Sequence, residues 1–228
     1  EHSLRSEKAQ TYAMERGTAL HAILFNTRKV AGYEGVRRGK AYEAVVEANP
    51  DTEILTMAEH AKVRRMADAV RNCKLAEPWL QGTVEHTINF RWQNIDCRAT
   101  PDVRGRGFLT ELKSASTSDP ARFLWHARRM QYHAQLRFQQ YASEQPTAVA
   151  EQMDIKNHYI VCVESDDPHP VTVFHVEPEA LEEGEKLLRL WVERLKNSVS
   201  GNYYPGYTDC VVPLVWPKDD VIEFGEEE

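Results

Sequence analysis

The sequence predicts an α/β fold with a mixed central sheet and flanking helices. Three observations predict it. Alternating apolar and polar residues run from Val84 to Ser114, cut by two turn signals, Gln93-Asn94 and Arg104-Gly105-Arg106-Gly107; that makes three consecutive strands. Segments with helical spacing stand before and after this run. A further strand, His158–Glu164, follows the second helix. The order helix, three strands, helix, strand is that of a layered α/β domain.

The elements follow in order. Residues 1–16 are polar. Gly17 to about Thr27 reads as a helix, because Leu20, Ile23 and Leu24 recur at helical spacing. Residues 28–55 carry weaker signals: a helix near Lys40–Ala48, then a Pro50-Asp51 turn. Thr56-Met57-Ala58-Glu59 is a capping box that starts a helix reaching about Asn72. Val84–Trp92 alternates, with Val84, His86, Ile88, Phe90 and Trp92 on one face and Glu85 on the other. Ile95–Val103 and Phe108–Ser114 are the next two strands. Asp119 suits an N-cap and Pro120 the first turn of a long helix. Its inner face holds Leu124, Ala127, Gln131, Ala134, Phe138 and Tyr141. After His158–Glu164 come a turn at Asp166–Pro170 and a strand, Val171–Val176. Pro178 opens a last helix to about Lys196, with Leu181, Leu188, Trp191 and Leu195 inward. The tail has no clear element.

The 228 residues suffice for one domain with a buried core, here about 12–200, with 201–228 as a C-terminal tail. No apolar run is long enough for a membrane helix. No charged-then-apolar leader pattern opens the chain. Cys73, Cys97, Cys162 and Cys210 are scattered without zinc or iron–sulfur spacing. These features place the expectation in a reducing cytoplasm. The net charge of −7 excludes a uniformly basic nucleic-acid surface. It does not exclude DNA as a substrate, because a cation in an acidic site reverses the local sign. Basic clusters occur at Arg37-Arg38-Lys40, Arg64-Arg65, Arg104-Arg106 and Arg128-Arg129.

The chemistry concentrates between Thr100 and Lys113. Successive strand residues point to opposite faces, so Glu111 and Lys113 share a face while Leu112 points inward. Asp102, ending the preceding antiparallel strand, faces Glu111 across the ladder. Two carboxylates and the Leu112 carbonyl are hard oxygen ligands of the kind Mg²⁺ takes, with water completing the set. A water acidified by the metal is then the nucleophile, steered by Lys113.

Pro101-Asp102 with Glu111-Leu112-Lys113 resembles the signature of the PD-(D/E)xK nucleases, whose restriction-endonuclease-like core has the αβββαβ order. Arg16-Gly17-Thr18-Ala19-Leu20-His21 is similar to the first helix of the RecB, RecE and lambda-exonuclease branch, in which a histidine leans on the metal. Gln131-Tyr132-His133-Ala134-Gln135 resembles the motif that follows the lysine strand in RecE-like phage exonucleases. The likeness spans roughly residues 12–200. It implies a Mg²⁺-dependent 5′→3′ exonuclease acting on double-stranded DNA ends, with Mn²⁺ as a substitute. It also implies assembly as a ring, a trimer, inside a bacterial host cell. The implied partner is a single-strand annealing protein of the RecT or Bet type. On this reading His21, Asp102, Glu111 and Leu112 hold the metal.

Further residues enter as candidates. Glu85 is an active-site acid or an exposed strand carboxylate. A buried glutamine must find partners, so Gln131 or Gln135 orients Lys113, a water or a phosphate, with Gln135 favoured; Tyr132 is structural. Arg104 and Arg106, on the turn beside Asp102, and Arg122, Arg128 and Arg129, near the next helix, are candidates for phosphate. A junction-specific or restriction-like endonuclease and an inactive DNA-end-binding protein are the alternatives.

Overall fold

The computed structural model describes residues 11–145, 153–206, 208 and 210–213. The chain divides into two units, residues 1–188 and 189–228; every element that carries the site lies in the first.

The first helix, α1 (Tyr12–Phe25), starts five residues earlier than the apolar spacing indicates, because Thr11 caps it by accepting from the Met14 amide. The weakly patterned stretch after it is a βαβ unit. Strands β1 (Lys29–Tyr33) and β2 (Thr52–Thr56) pair in parallel, joined by α2 (Lys40–Ala48). Helix α3 (Met57–Asn72) begins at the Thr56–Glu59 capping box, with both reciprocal hydrogen bonds present. A 3₁₀ turn (Glu77–Leu80) sets Trp79 against Tyr159, with ring centroids 3.7 Å apart.

The three expected strands become five. Val84–Trp92 splits into β3 (Thr83–Val84) and β4 (Ile88–Trp92), and Ile95–Val103 into β5 (Ile95–Ala99) and β6 (Val103–Gly105). Strands β4 and β5 form a separate antiparallel hairpin. Its aromatic face lies on α5 (Tyr132–Glu144), where Trp92 stacks on Tyr141 at 5.2 Å and Phe90 meets Phe138 at 5.1 Å. The breaks at Glu85 and near Thr100-Pro101 let one half of each segment serve the main sheet and the other half serve the hairpin.

The main sheet has the order β3-β6-β7-β8-β9, with β7 at Phe108–Ala115, β8 at Asn157–Glu164 and β9 at Val171–His175. Strands β7 and β8 are parallel and the other pairs antiparallel, so the sheet is mixed. Leu112, Val161 and Val163 pack against α1 and α3 on one face. Leu109, Ile160 and Cys162 pack on the other against Phe123, Leu136 and Leu181. The two sets alternate along each strand, as the two-residue period requires.

The long helix expected from Asp119 is two helices, α4 (Pro120–Arg129) and α5. Gln131 takes a left-handed conformation at φ 58° and breaks the turn. The apolar spacing runs through the break, yet Leu124 and Gln131 are exposed. The last helix, α6 (Pro178–Gly201), buries Leu181 and Leu188, whereas Trp191 and Leu195 are exposed at 38% and 46%. Gly184 allows α6 close to α5: a Cβ there would stand 2.7 Å from the His133 carbonyl oxygen. No helix among the described residues is long and apolar enough to cross a membrane.

Candidate active site

Strand β7 positions the centre of the site. The odd residues Leu109, Glu111 and Lys113 face α5, and Leu112 faces α1. Glu111 is only 1% exposed. Its Oε2 accepts from Lys113 Nζ at 2.6 Å and from Gln135 Nε2 at 2.8 Å, and its Oε1 accepts from Gln139 Nε2 at 2.5 Å. Lys113 also donates to Gln135 Oε1 at 3.2 Å and lies over the Tyr132 ring at 4.7 Å. The break at Gln131 starts α5 where Gln135 and Gln139, one turn apart, both reach Glu111.

Asp102 precedes β6, opposite Glu111 by the register that pairs Val103 with Thr110. Its Oδ2 accepts from the Leu112 amide at 2.7 Å. Its Oδ1 lies 3.4 Å from His21 Nδ1, and Glu85 Oε1 lies 3.5 Å from the same nitrogen. His21 Nε2 donates to the Leu112 carbonyl at 3.1 Å. Glu85 reaches this point because it lies outside any strand: at φ 44° it turns between β3 and β4, with its amide donating to the Asp102 carbonyl.

The electrostatics are those of an acidic cavity short of positive charge. Burial, and then the charge of Glu111, raises the Asp102 carboxyl well above the usual carboxylate range. Burial lowers the His21 imidazole, and Lys113 adds to the effect against the opposing pull of Glu111. The His21–Asp102 separation would suit an ion pair, but both groups shift toward their neutral forms, so it is not one. Burial alone would lower the Lys113 ammonium; Glu111 and Asp102 outweigh it and hold it above its ordinary value. With Nε2 donating, His21 turns the lone pair of Nδ1 toward two carboxylates. With Asp102 ionised, these electron-pair donors face one another and repel, unless a proton or a cation stands between them. A hard cation there would relieve both this repulsion and that between Asp102 and Glu111. The donor set therefore fits a divalent metal. Glu111 is held by its three donors, and among the described residues no three His, Cys, Asp or Glu side chains converge as a finished ligand set.

His21, Glu85, Leu112 and Lys113 open on a cleft of about 640 Å³, lined also by Thr18, Arg28 and Tyr132, while Asp102 and Glu111 are buried and do not line it. The structure thus brings His21, Glu85, Asp102, Glu111, Leu112, Lys113 and Gln135 together. The arginines chosen from the sequence lie elsewhere. Arg104 is inside β6 and buried, not on the turn, and the little surface it keeps faces a polar basin, not the cleft. Arg106 is on the turn, beside a polar basin with Gln81 and Lys156 at the opposite end of β7 from Lys113. Arg122, Arg128 and Arg129 are exposed on α4; Arg128 pairs with Glu183 at 2.8 Å. None of the five lines the cleft. Arg28 does, and it was not among the arginines singled out from the sequence. Gln139 was not singled out either, because it lies outside the spacing Ala134, Phe138 and Tyr141 from which the inner face was read.

This geometry can be set beside known proteins. The profile of a PDDEXK-like domain of unknown function (DUF3799) matches residues 1–211. The chain belongs to this family. Its place in the PD-(D/E)xK nuclease superfamily agrees with the Pro101-Asp102 and Glu111-Leu112-Lys113 signature. The family's fold also appears in the crystal structure of "Putative exonuclease" from Eubacterium rectale, solved at 2.19 Å. That match has a TM-score of 0.65 at 14% identity, over 91% of this chain and 76% of the other. At such identity the likeness is one of fold. No curated protein matches the chain.

Proposed function

We propose that this PDDEXK-like protein is a Mg²⁺-dependent exonuclease that degrades double-stranded DNA from its ends, 5′→3′, leaving 3′ single-stranded tails. The observation that carries the reading is that the buried carboxylates Asp102 and Glu111 join, through the Leu112 amide, Lys113 and His21, to an open cleft lined by His21, Glu85, Leu112 and Lys113. His21, Asp102, Glu111 and the Leu112 carbonyl would hold the metal. When bound, Mg²⁺ supplies Lewis-acid charge to a phosphate oxygen and acidifies water; Mn²⁺ supplies the same.

The side chains do the rest. Lys113 is kept protonated by two carboxylates, so its ammonium is available to the negative charge that develops on a cleaved phosphate. Gln135 touches both Lys113 and Glu111 and fixes their relative position. Glu85 lines the cleft and can accept a proton from water at its mouth. Arg28 lines the same cleft, where a guanidinium can meet a phosphate in bidentate fashion. The polarity, a trimeric ring, pairing with an annealing protein of the RecT or Bet type and a bacterial cytoplasm extend the proposal from the RecE-like resemblance.

The test is digestion of linear duplex DNA labelled separately at each 5′ and 3′ terminus, beside a closed circle, in Mg²⁺ and in EDTA. The proposal expects immediate loss of 5′ label from linear DNA, an intact circle and full inhibition by EDTA. Cutting of the circle would replace it with an endonuclease. Binding without cleavage would replace it with an end-binding protein.

A further inference from the structure

One buried polar side chain has no part in this mechanism. Gln139 is 3% exposed on the inner face of α5, alongside Ala134, Leu136 and Ala142. An apolar side chain of similar size would pack there without burying an amide. Its Nε2 donates to Glu111 Oε1, while its own Oε1 is buried with no partner among the described residues. Buried acceptors are rarely left so. Turning the amide over would set its oxygen against the carboxylate, so Glu111 fixes the orientation.

Gln135, four residues earlier and therefore on the same helix face, donates to the other oxygen, Oε2. Two amides on one helix thus hold the two oxygens of one carboxylate. A carboxylate has about four acceptor sites. Gln135 and Lys113 share Oε2, and Gln139 takes one site on Oε1. The site left over is on Oε1, the oxygen that Gln139 orients.

We infer that Gln139 is a positioning residue that presents Glu111 Oε1 to the divalent cation. The inference rests on the metal-dependent reading above and concerns cation affinity, because Gln139 has no place at the phosphate. Partners that orient a metal ligand typically contribute ten- to a hundred-fold in affinity.

Calorimetric titration of the full chain with Mn²⁺, in the absence of DNA, tests it. Gln139→Met keeps the side-chain volume and removes the donor; Mn²⁺ binding should weaken by about ten-fold or more. Gln139→Asn keeps an amide but withdraws it by one methylene, and serves if the apolar variant unfolds. The control is Gln140→Met. Gln140 is buried on the same helix, but its bonds go to Arg137, Glu144 and the Ile155 carbonyl. That variant should melt earlier and bind Mn²⁺ like the parent. Equal Mn²⁺ affinity in the parent and the Gln139 variants overturns the inference, as does an equal loss in Gln140→Met. Absence of Mn²⁺ binding by the parent overturns the metal-dependent reading itself, and the inference with it.

Discussion

Asp102→Asn should make the metal-free protein more stable while abolishing its response to metal. Folding places Asp102 in a cavity it shares with Glu111, 9% exposed, so at neutral pH it must either bury a poorly compensated charge or take up a proton. Both are unfavourable. Asparagine does neither. It keeps an oxygen for the Leu112 amide and places an N–H donor where Oδ1 now lies 3.4 Å from the His21 Nδ1 lone pair. Removing an unfavourable buried charge and gaining one hydrogen bond is worth about 2 kcal/mol. For a protein of this size that raises the melting temperature by roughly 4–8 °C in EDTA. Metal acts oppositely: at a hundred times its dissociation constant, a ligand of the native state adds about 2.7 kcal/mol to the parent. The variant, lacking a ligand, gains little. The order of stability should therefore reverse between EDTA and saturating Mg²⁺ or Mn²⁺, as read by circular dichroism on heating. A variant that melts below the parent in EDTA would refute the account of a cavity short of positive charge.

Three other outcomes follow from the geometry. Lys113→Met should retain DNA binding and lose about 100-fold or more in single-turnover cleavage. It should also cost about 3 kcal/mol in urea unfolding without metal, because Glu111 is left buried without its ammonium; normal turnover would remove Lys113 from the mechanism. His158 is buried without a ring partner among the described residues, and its imidazole is lowered from 6.5 to about 4 by burial, then by Arg137 and His175. A depressed histidine costs stability as pH falls from 6.5 toward 4, where the unfolded chain takes the proton first. The loss is roughly 3 kcal/mol across that window; His158→Leu should flatten that part of the stability–pH curve, and an unchanged slope would count against it. Gly184→Ala should destabilise by about 2 kcal/mol through overpacking, since the new methyl would meet the backbone of His133; a neutral effect on thermal unfolding would show that α6 can give way.

What the sequence disclosed depended on how local each signal was. The Thr56 box and the Asp119–Pro120 start are written within four residues, and both stand where they were read. Asp102, Glu111 and Lys113 meet because a two-residue period and one hairpin turn suffice to bring them together. The parallel pairing of β1 with β2 was not legible, since each strand is five residues long and its partner lies beyond a helix. The division of Asp119–Tyr141 was hidden because apolar spacing continues through Gln131, and only its left-handed backbone ends the helix. Glu85 was assigned to the face opposite Val84, but a turn at that residue, not strand alternation, directs it to His21. The basic residues were the least legible. A cluster such as Arg128-Arg129 says nothing of which way it faces, and neither does the short Arg28-Lys29 pair that holds the cleft arginine.

The Leu112 amide has a use that follows from its unusual partner. Strand β6 starts only at Val103, so on that edge of β7 this N–H meets a carboxylate oxygen of Asp102 where a longer strand would have offered a carbonyl. A peptide carbonyl cannot change its charge, but a carboxylate can be neutralised, shared or drawn aside. The backbone of β7 is therefore wired to the chemistry of the cleft through one bond. A ¹⁵N label at Leu112 would serve as a gauge inside the sheet, its proton resonance moving whenever the Asp102 carboxylate acquires another partner. The neighbouring β7 amides, held by strand carbonyls, would supply the fixed scale against which it is read.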